Sequence, residues 1–283
     1  MAPRRSQPAV VGRGLGGQLR ELRVRRRLSL REVAAELDWP PSRLSRLEHG
    51  RQHVRVEDAT ALLVIYRVTG EEREALLGQV ERVTEPRWWE AAAGLSDESR
   101  TLIHLEAEAT TIIGCEPLLV PGLLQTPDYT RAVMESCGVR KVDTPPRIAA
   151  RLARQAILTR ETPPALHALI DEAALRRPVG GNQVMAEQLR HLVTVSARPN
   201  ITLRVVPLAA GAHTGLDGAF ALLDFPRNRS VVYLDHKISG LFLEERHQVE
   251  FFRREAVRLA EAALSPLASV NFIARVASEH ERK

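Results

Sequence analysis

Apolar positions in the first third of the chain recur with a helical period. Further on they give way in places to short β-branched runs. Leu15, Leu19 and Leu22 fall at i, i+4 and i+7, which predicts a helix through Leu15–Arg27. In L-S-L-R-E-V-A-A-E-L, Ser29 and Glu32 have the spacing of a capping box, so a second helix starts at Leu30 and ends near Leu37. Asp38 and Trp39 make a short turn. Pro40-Pro41 then open a third helix, because proline's missing N–H costs nothing at the first helical position. Leu44 and Leu47 form its inner stripe, and Gly50 is expected to close it. Glu57–Val68 and Glu71–Val83 complete a string of five short helices.

T-E-P-R-W-W-E breaks this pattern. The expected organisation is an arm at residues 1–13, a helical head at 14–83, a linker at 84–90 and a body at 91–283. G-R-G-L-G-G at 12–17 reads as flexible backbone, since no strand precedes it as a phosphate loop requires. In the body, the stretch from Leu95 to Glu116 reads as one helix. Thr126, Pro127 and Asp128 mark the start of another, and R-I-A-A-R-L-A-R-Q is amphipathic. A-L-H-A-L-I-D and I-T-L-R-V-V-P are strand-like and flank a helix at Val184–Val195, a βαβ-like unit. G-A-F-A-L-L-D-F and S-V-V-Y-L-D make a hairpin about P-R-N-R, and a helix covers Leu243–Ala263. The fold class is therefore α+β and mostly α: a five-helix head, then an α/β domain with a small mixed sheet.

Charge sharpens this picture. Residues 1–55 hold 13 Arg, no Lys and 5 acidic residues, a net +8 in a chain whose total is +5. A basic head on a mildly acidic body is a nucleic-acid footprint, or else the surface habit of an Arg-rich protein. No apolar run approaches the ~18–20 residues that span a bilayer, and the basic N-terminus lacks a signal-like apolar stretch, so the expected location is the cytoplasm. Cys115 and Cys137 stand apart, without metal spacing, and read as reduced, buried thiols. No metal or cofactor is expected.

Two helices joined by a tight turn make a helix-turn-helix. The string R-E-L-R-x-x-R-x-L-S-x-R-E-V-A-x-E-L…S-R-L-S-R-L-E-H-G-R resembles the phage-repressor-like (Cro/cI, or XRE) family over about residues 15–75. The resemblance implies a λ-repressor-like head whose third helix lies in the major groove of double-stranded DNA, in a homodimer that reads two half-sites. With Leu44 and Leu47 inward, Ser42, Arg43, Ser45 and Arg46 are expected to face outward and read bases. Either arginine could pair with guanine or meet only phosphate. Arg31, Arg51, Gln52, His53 and Arg55 are the candidate phosphate contacts, although a solvated loop is the plainer alternative for the last four. Leu30 stands where the family often has Gln. Glu48 is acidic on a DNA-facing helix, and the resemblance pairs it with Arg23 as a structural ion pair. Pro40 and Pro41 offer no donors, which moves base reading inward along the helix.

The body carries P-G-L-L-Q-T-P-D-Y, D-E-A-A-L-R-R-P-V-G-G and V-V-P-L-x-A-G-A-H-x-G in order. It resembles the C-terminal domain of a large actinobacterial group of helix-turn-helix regulators over about residues 88–275. The resemblance implies a domain for dimerisation and for binding a signal or a small protein encoded nearby. His213 with Asp217 in a Gly-rich loop is either an anion cradle or a plain turn. Asp171-Glu172 faces a cleft or charges a helix start, and His236-Lys237 lacks phosphodiesterase spacing. No nucleophile motif or connectable Cys–His pair appears, so the chain is read as a non-enzyme. The reading that results is a sequence-specific transcriptional regulator. The alternative is an antitoxin-like module that neutralises a small partner and regulates its own synthesis.

Overall fold

A computed structural model describes residues 10–49, 52, 54–84, 95–226, 229–236 and 239–283. The chain divides into two compact units, Met1–Ala91 and Ala92–Lys283.

In the first unit, α1 is Val10–Arg25, α2 Leu30–Glu36, α3 Pro41–Glu48, α4 Val56–Ile65 and α5 Gly70–Thr84. Leu19, Val33, Leu44, Leu47, Leu62 and Leu63 meet in one fully buried core. Three of the helices end the same way. Arg27, Asp38 and Arg67 adopt positive φ, and the next N–H (Leu28, Trp39, Val68) reaches back to Arg23, Ala34 and Leu63 carbonyls. These are Schellman closures made without glycine. Positive φ at Asp38 gives the α2–α3 turn its tightness.

Helix α1 starts earlier than periodicity indicates, and the G-R-G-L-G-G stretch is helical rather than flexible. Glycine has a packing role within this helical stretch. A Cβ on Gly16 would lie 2.2 Å from the Leu47 carbonyl oxygen, so glycine lets α1 and α3 touch backbone to backbone.

The second unit is built on one six-stranded sheet: β1 Thr111–Glu116, β2 Ala165–Asp171, β3 Ile201–Val206, β4 Phe220–Phe225, β5 Arg229–His236 and β6 Ser239–Leu243. The order is β3-β2-β1-β4-β5-β6, with β1, β2 and β3 parallel and β4, β5 and β6 antiparallel. Its helices are α6 Asp97–Glu108, α7 Pro127–Ser136, α8 Thr144–Gln155, α9 Glu172–Arg176, α10 Asn182–Val195, α11 Arg246–Ala262 and α12 Pro266–Glu281. Val249, Ala256 and Leu259 of α11 cover the sheet face of Cys115, Phe220, Leu222 and Val232.

The single helix expected from Leu95 to Glu116 is corrected to α6 followed by β1. The Ala109 N–H closes α6 on Leu105, and Ala109 itself is extended. The β-branched run Thr110–Ile113 then enters the middle of the sheet, with β2 on one side and β4 on the other. The helix expected from Leu243 begins at Arg246, because β6 occupies Ser239–Leu243 on the edge beside β5. Cys137, expected to be buried, is exposed, whereas Cys115 is buried. The loop ahead of α7 is fastened by polar side chains. Gln125 donates to the Val120 carbonyl at 2.7 Å, Gln188 donates to Leu124 O at 2.8 Å, and the Tyr129 hydroxyl accepts from Val120 N–H at 3.1 Å.

Candidate nucleic-acid interface

The α2–turn–α3 pair is set by local chemistry. Ser29 Oγ accepts from Glu32 N–H at 3.2 Å, while the Glu32 carboxylate accepts from Ser29 N–H at 2.7 Å. Those hydrogen bonds hold the Glu32 carboxyl below the usual carboxylate range. Pro41 sits at the first position of α3 and Pro40 caps it with no side-chain hydrogen bond.

Beneath α3, Arg23 donates to both oxygens of Glu48, at 2.6 and 2.8 Å, and to the Leu28 carbonyl at 2.9 Å. The Glu48 side chain is 1% exposed, so the negative charge on this helix is neutralised from inside. The pair sits against Tyr66, whose hydroxyl burial pushes far upward.

The outward positions separate into two kinds. Ser42 and Arg46 are exposed, and Arg46 Nε reaches Gln52 Oε1 at 3.3 Å. Ser45 is half-buried, its carbonyl 2.7 Å from His49 Nδ1. Arg43 departs from the outward orientation expected of it. It donates to Asp58 at 2.7 Å and lies over the Trp39 ring at 4.1 Å. Asp58, in the first turn of α4, is buried, and Arg43 supplies it with a cation. Arg31 and Arg55 are exposed, Arg55 as the residue capping α4. Gly50, Arg51 and His53 lie outside the described residues.

The Arg25-Arg26-Arg27 run is only partly available to DNA. Arg26 donates to the Tyr66 and Arg67 carbonyls at the end of α4, at 2.7 and 3.0 Å, and Arg25 meets Glu72 at 3.0 Å. Sequence reasoning missed both this Arg26 cap and the Arg43–Asp58 clamp. An acidic residue in the first turn of α4 was the one available signal for the clamp, and it has an equally ordinary reading as a helix-dipole charge.

In the body, Asp171 caps α9 through Ala173 N–H at 2.6 Å and lies 2.9 Å from His213 Nε2. Glu172 accepts from Arg176 at 2.5 Å and from Leu208 N–H at 2.9 Å. A Cβ on Gly215 would sit 3.1 Å from both Cys115 Sγ and His213 Nδ1, so Cys, His and Asp do gather here. Burial nevertheless pushes the Cys115 thiol up to about 12, which keeps it a neutral thiol at ordinary pH. Asp217 and His236 are exposed, and Lys237 lies outside the described residues. Among the described residues, no cluster of three or more His, Cys, Asp or Glu could hold a metal ion.

Residues 99–275 match the family described as domain of unknown function (DUF5753), which is more than half the chain. The chain belongs to this family. Its head, at residues 14–76, matches a helix-turn-helix domain, which makes the DUF5753 chain a DNA-binding regulator in architecture. No curated protein and no solved structure matches it. Among the described residues, no helix is long and apolar enough to cross a membrane.

Proposed function

We propose that the protein is a sequence-specific transcriptional regulator that lays α3 in the major groove and binds as a homodimer. The carrying observation is the arrangement around α3. An exposed Ser42 and Arg46 stand on a helix whose acidic residue is neutralised from beneath by Arg23. Arg46 is the principal base reader, with Ser42 and Ser45 beside it. Arg43, tied to Asp58, positions α3 against α4. Arg31, Gln52 and Arg55, with Arg51 and His53, meet phosphates on either side of the groove. The body joins two such heads for half-sites about one helical turn apart and receives the signal.

Binding sites selected from random duplexes by the full-length protein supply the test. Arg46→Ala should relax preference at one position per half-site, by roughly 1–3 kcal/mol. Arg55→Ala should weaken all sequences alike and lower the salt slope by about 1. Unchanged affinity in both variants would overturn the placement of α3.

A further inference from the structure

The body holds a charged cavity, open to water, that the DNA-binding reading leaves unused. Arg147, Arg151 and Arg154 occupy successive turns of one face of α8. All three line a cavity of about 320 Å³ over Tyr233 and Asp235 of β5. They also line an adjoining lobe of about 360 Å³ that adds Glu116 and the apolar Leu102, Val133 and Phe220. Both volumes are of the size that holds a small organic ligand.

The three arginines are not equivalent. Arg154 is matched, with its guanidinium facing both oxygens of Glu106. Arg151 donates once, to the neutral Gln125 Oε1 at 2.8 Å, and has no ion pair among the described residues. Burial and the neighbouring Arg154 charge lower it to about 10. Arg147 Nε is buried without a hydrogen-bond partner among the described residues. The opposite charge is present but held apart. The Glu116 carboxyl, at the end of β1, makes no side-chain hydrogen bond among the described residues, and burial followed by the nearby Asp235 pushes it up to about 7. Asp235 accepts from the Tyr233 hydroxyl at 3.1 Å.

Unmatched buried donors and an unpaired carboxyl each cost stability. A domain built for packing alone would join Arg151 to Glu116 or replace both with apolar residues. Glu116 closes β1 in the middle of the sheet, between the parallel β2 and the antiparallel β4.

We propose that this cavity binds a small zwitterion of the amino-acid type, with its carboxylate on Arg147 and Arg151, its ammonium on Glu116 and Asp235, and its side chain against Leu102, Val133 and Phe220. The proposal deepens the signal-receiving role given to the body and rests on it only for any effect on DNA. The forked arginine donors fit a carboxylate, and the two carboxyl groups fit an ammonium.

Calorimetric titration of the full-length protein with the proteinogenic amino acids, each with its decarboxylated amine and deaminated acid, tests it. One amino acid or a related few should bind, and both analogues of each binder should bind at least about tenfold more weakly. Arg147→Ala and Glu116→Gln should each weaken binding by about tenfold or more, with Arg147→Lys and circular dichroism guarding against misfolding. No heat with any amino acid at about 10 mM would overturn the proposal. So would an acid that binds as well as its parent, since that describes a site for simple anions, or binding that survives both substitutions. DNA binding by the same preparation is measured without ligand. Its loss alone would sink the regulator reading and leave the site standing, and loss of ligand binding alone would do the reverse.

Discussion

Head and body each bury an arginine against a glutamate, and the surroundings of the two pairs differ. In the head, Arg23 spends its guanidinium on protein acceptors, with two bonds to Glu48 and a third to Leu28 O. In the body, Arg154 faces Glu106 equally squarely but fronts a cavity in which Arg151 and Arg147 lack carboxylate partners among the described residues. Burial pushes the Glu106 carboxyl up against the pull of Arg154. A buried charge enclosed by its partners serves the fold, whereas buried charges left short of partners beside an open volume serve a ligand.

That contrast can be broken most directly at the acids. Glu48→Ala should cost about 3–5 kcal/mol in thermal or denaturant unfolding, because it leaves the largely buried Arg23 charge without its counter-ion. Replacing both partners, as Arg23→Met with Glu48→Leu, should restore much of the loss. Glu106→Ala should cost less, on the order of 1–2 kcal/mol, since water in the cavity can solvate Arg154. Equal losses for the two acids would end the comparison.

The next effect is steric. Gly16→Ala forces a methyl against the Leu47 carbonyl and should destabilise the head by about 1–3 kcal/mol. Gly17→Ala, with nothing within 4 Å of the added carbon, should be neutral or stabilise by about 0.5–1 kcal/mol. Equilibrium unfolding of the two variants side by side decides it.

The smallest expected effect is the pH response of the body. Glu116 titrates near 7 when folded and in the ordinary carboxylate range when unfolded. Between those values the folded state holds the extra proton, so stability falls as pH rises through the window and is level above it. Glu116→Gln should remove this fall and leave the variant more stable than the parent at pH 8, by on the order of 1 kcal/mol once screening in a cavity open to water is allowed for. A parent and variant with parallel melting temperatures from pH 5 to 8 would place Glu116 outside the cavity's charge balance.

Much of the head was legible in the chain because its signals are local. The Ser29–Glu32 box, the prolines ahead of α3 and the leucine stripe act within one or two turns, and α2 and α3 lie where they indicate. Arg43 was not legible. Its outward spacing is real, yet its partner Asp58 is fifteen residues away on another helix. Likewise T-T-I-I-G-C continues an apolar helical run on paper, and only the strands on both sides of it make it β1. Short apolar runs carry no period long enough to separate strand from helix.

The sequence by itself determined that a basic helix-turn-helix precedes an α/β body, since capping, helical period and charge asymmetry are properties of neighbouring residues. The tertiary structure alone decided which charged groups are used up and which remain open. Arg26, Arg43 and Arg154 are matched by groups distant in the chain, and Arg147, Arg151 and Glu116 are brought together around one cavity and left without full partners. Pairing of charges depends on distance through space, and the chain's order does not encode that distance.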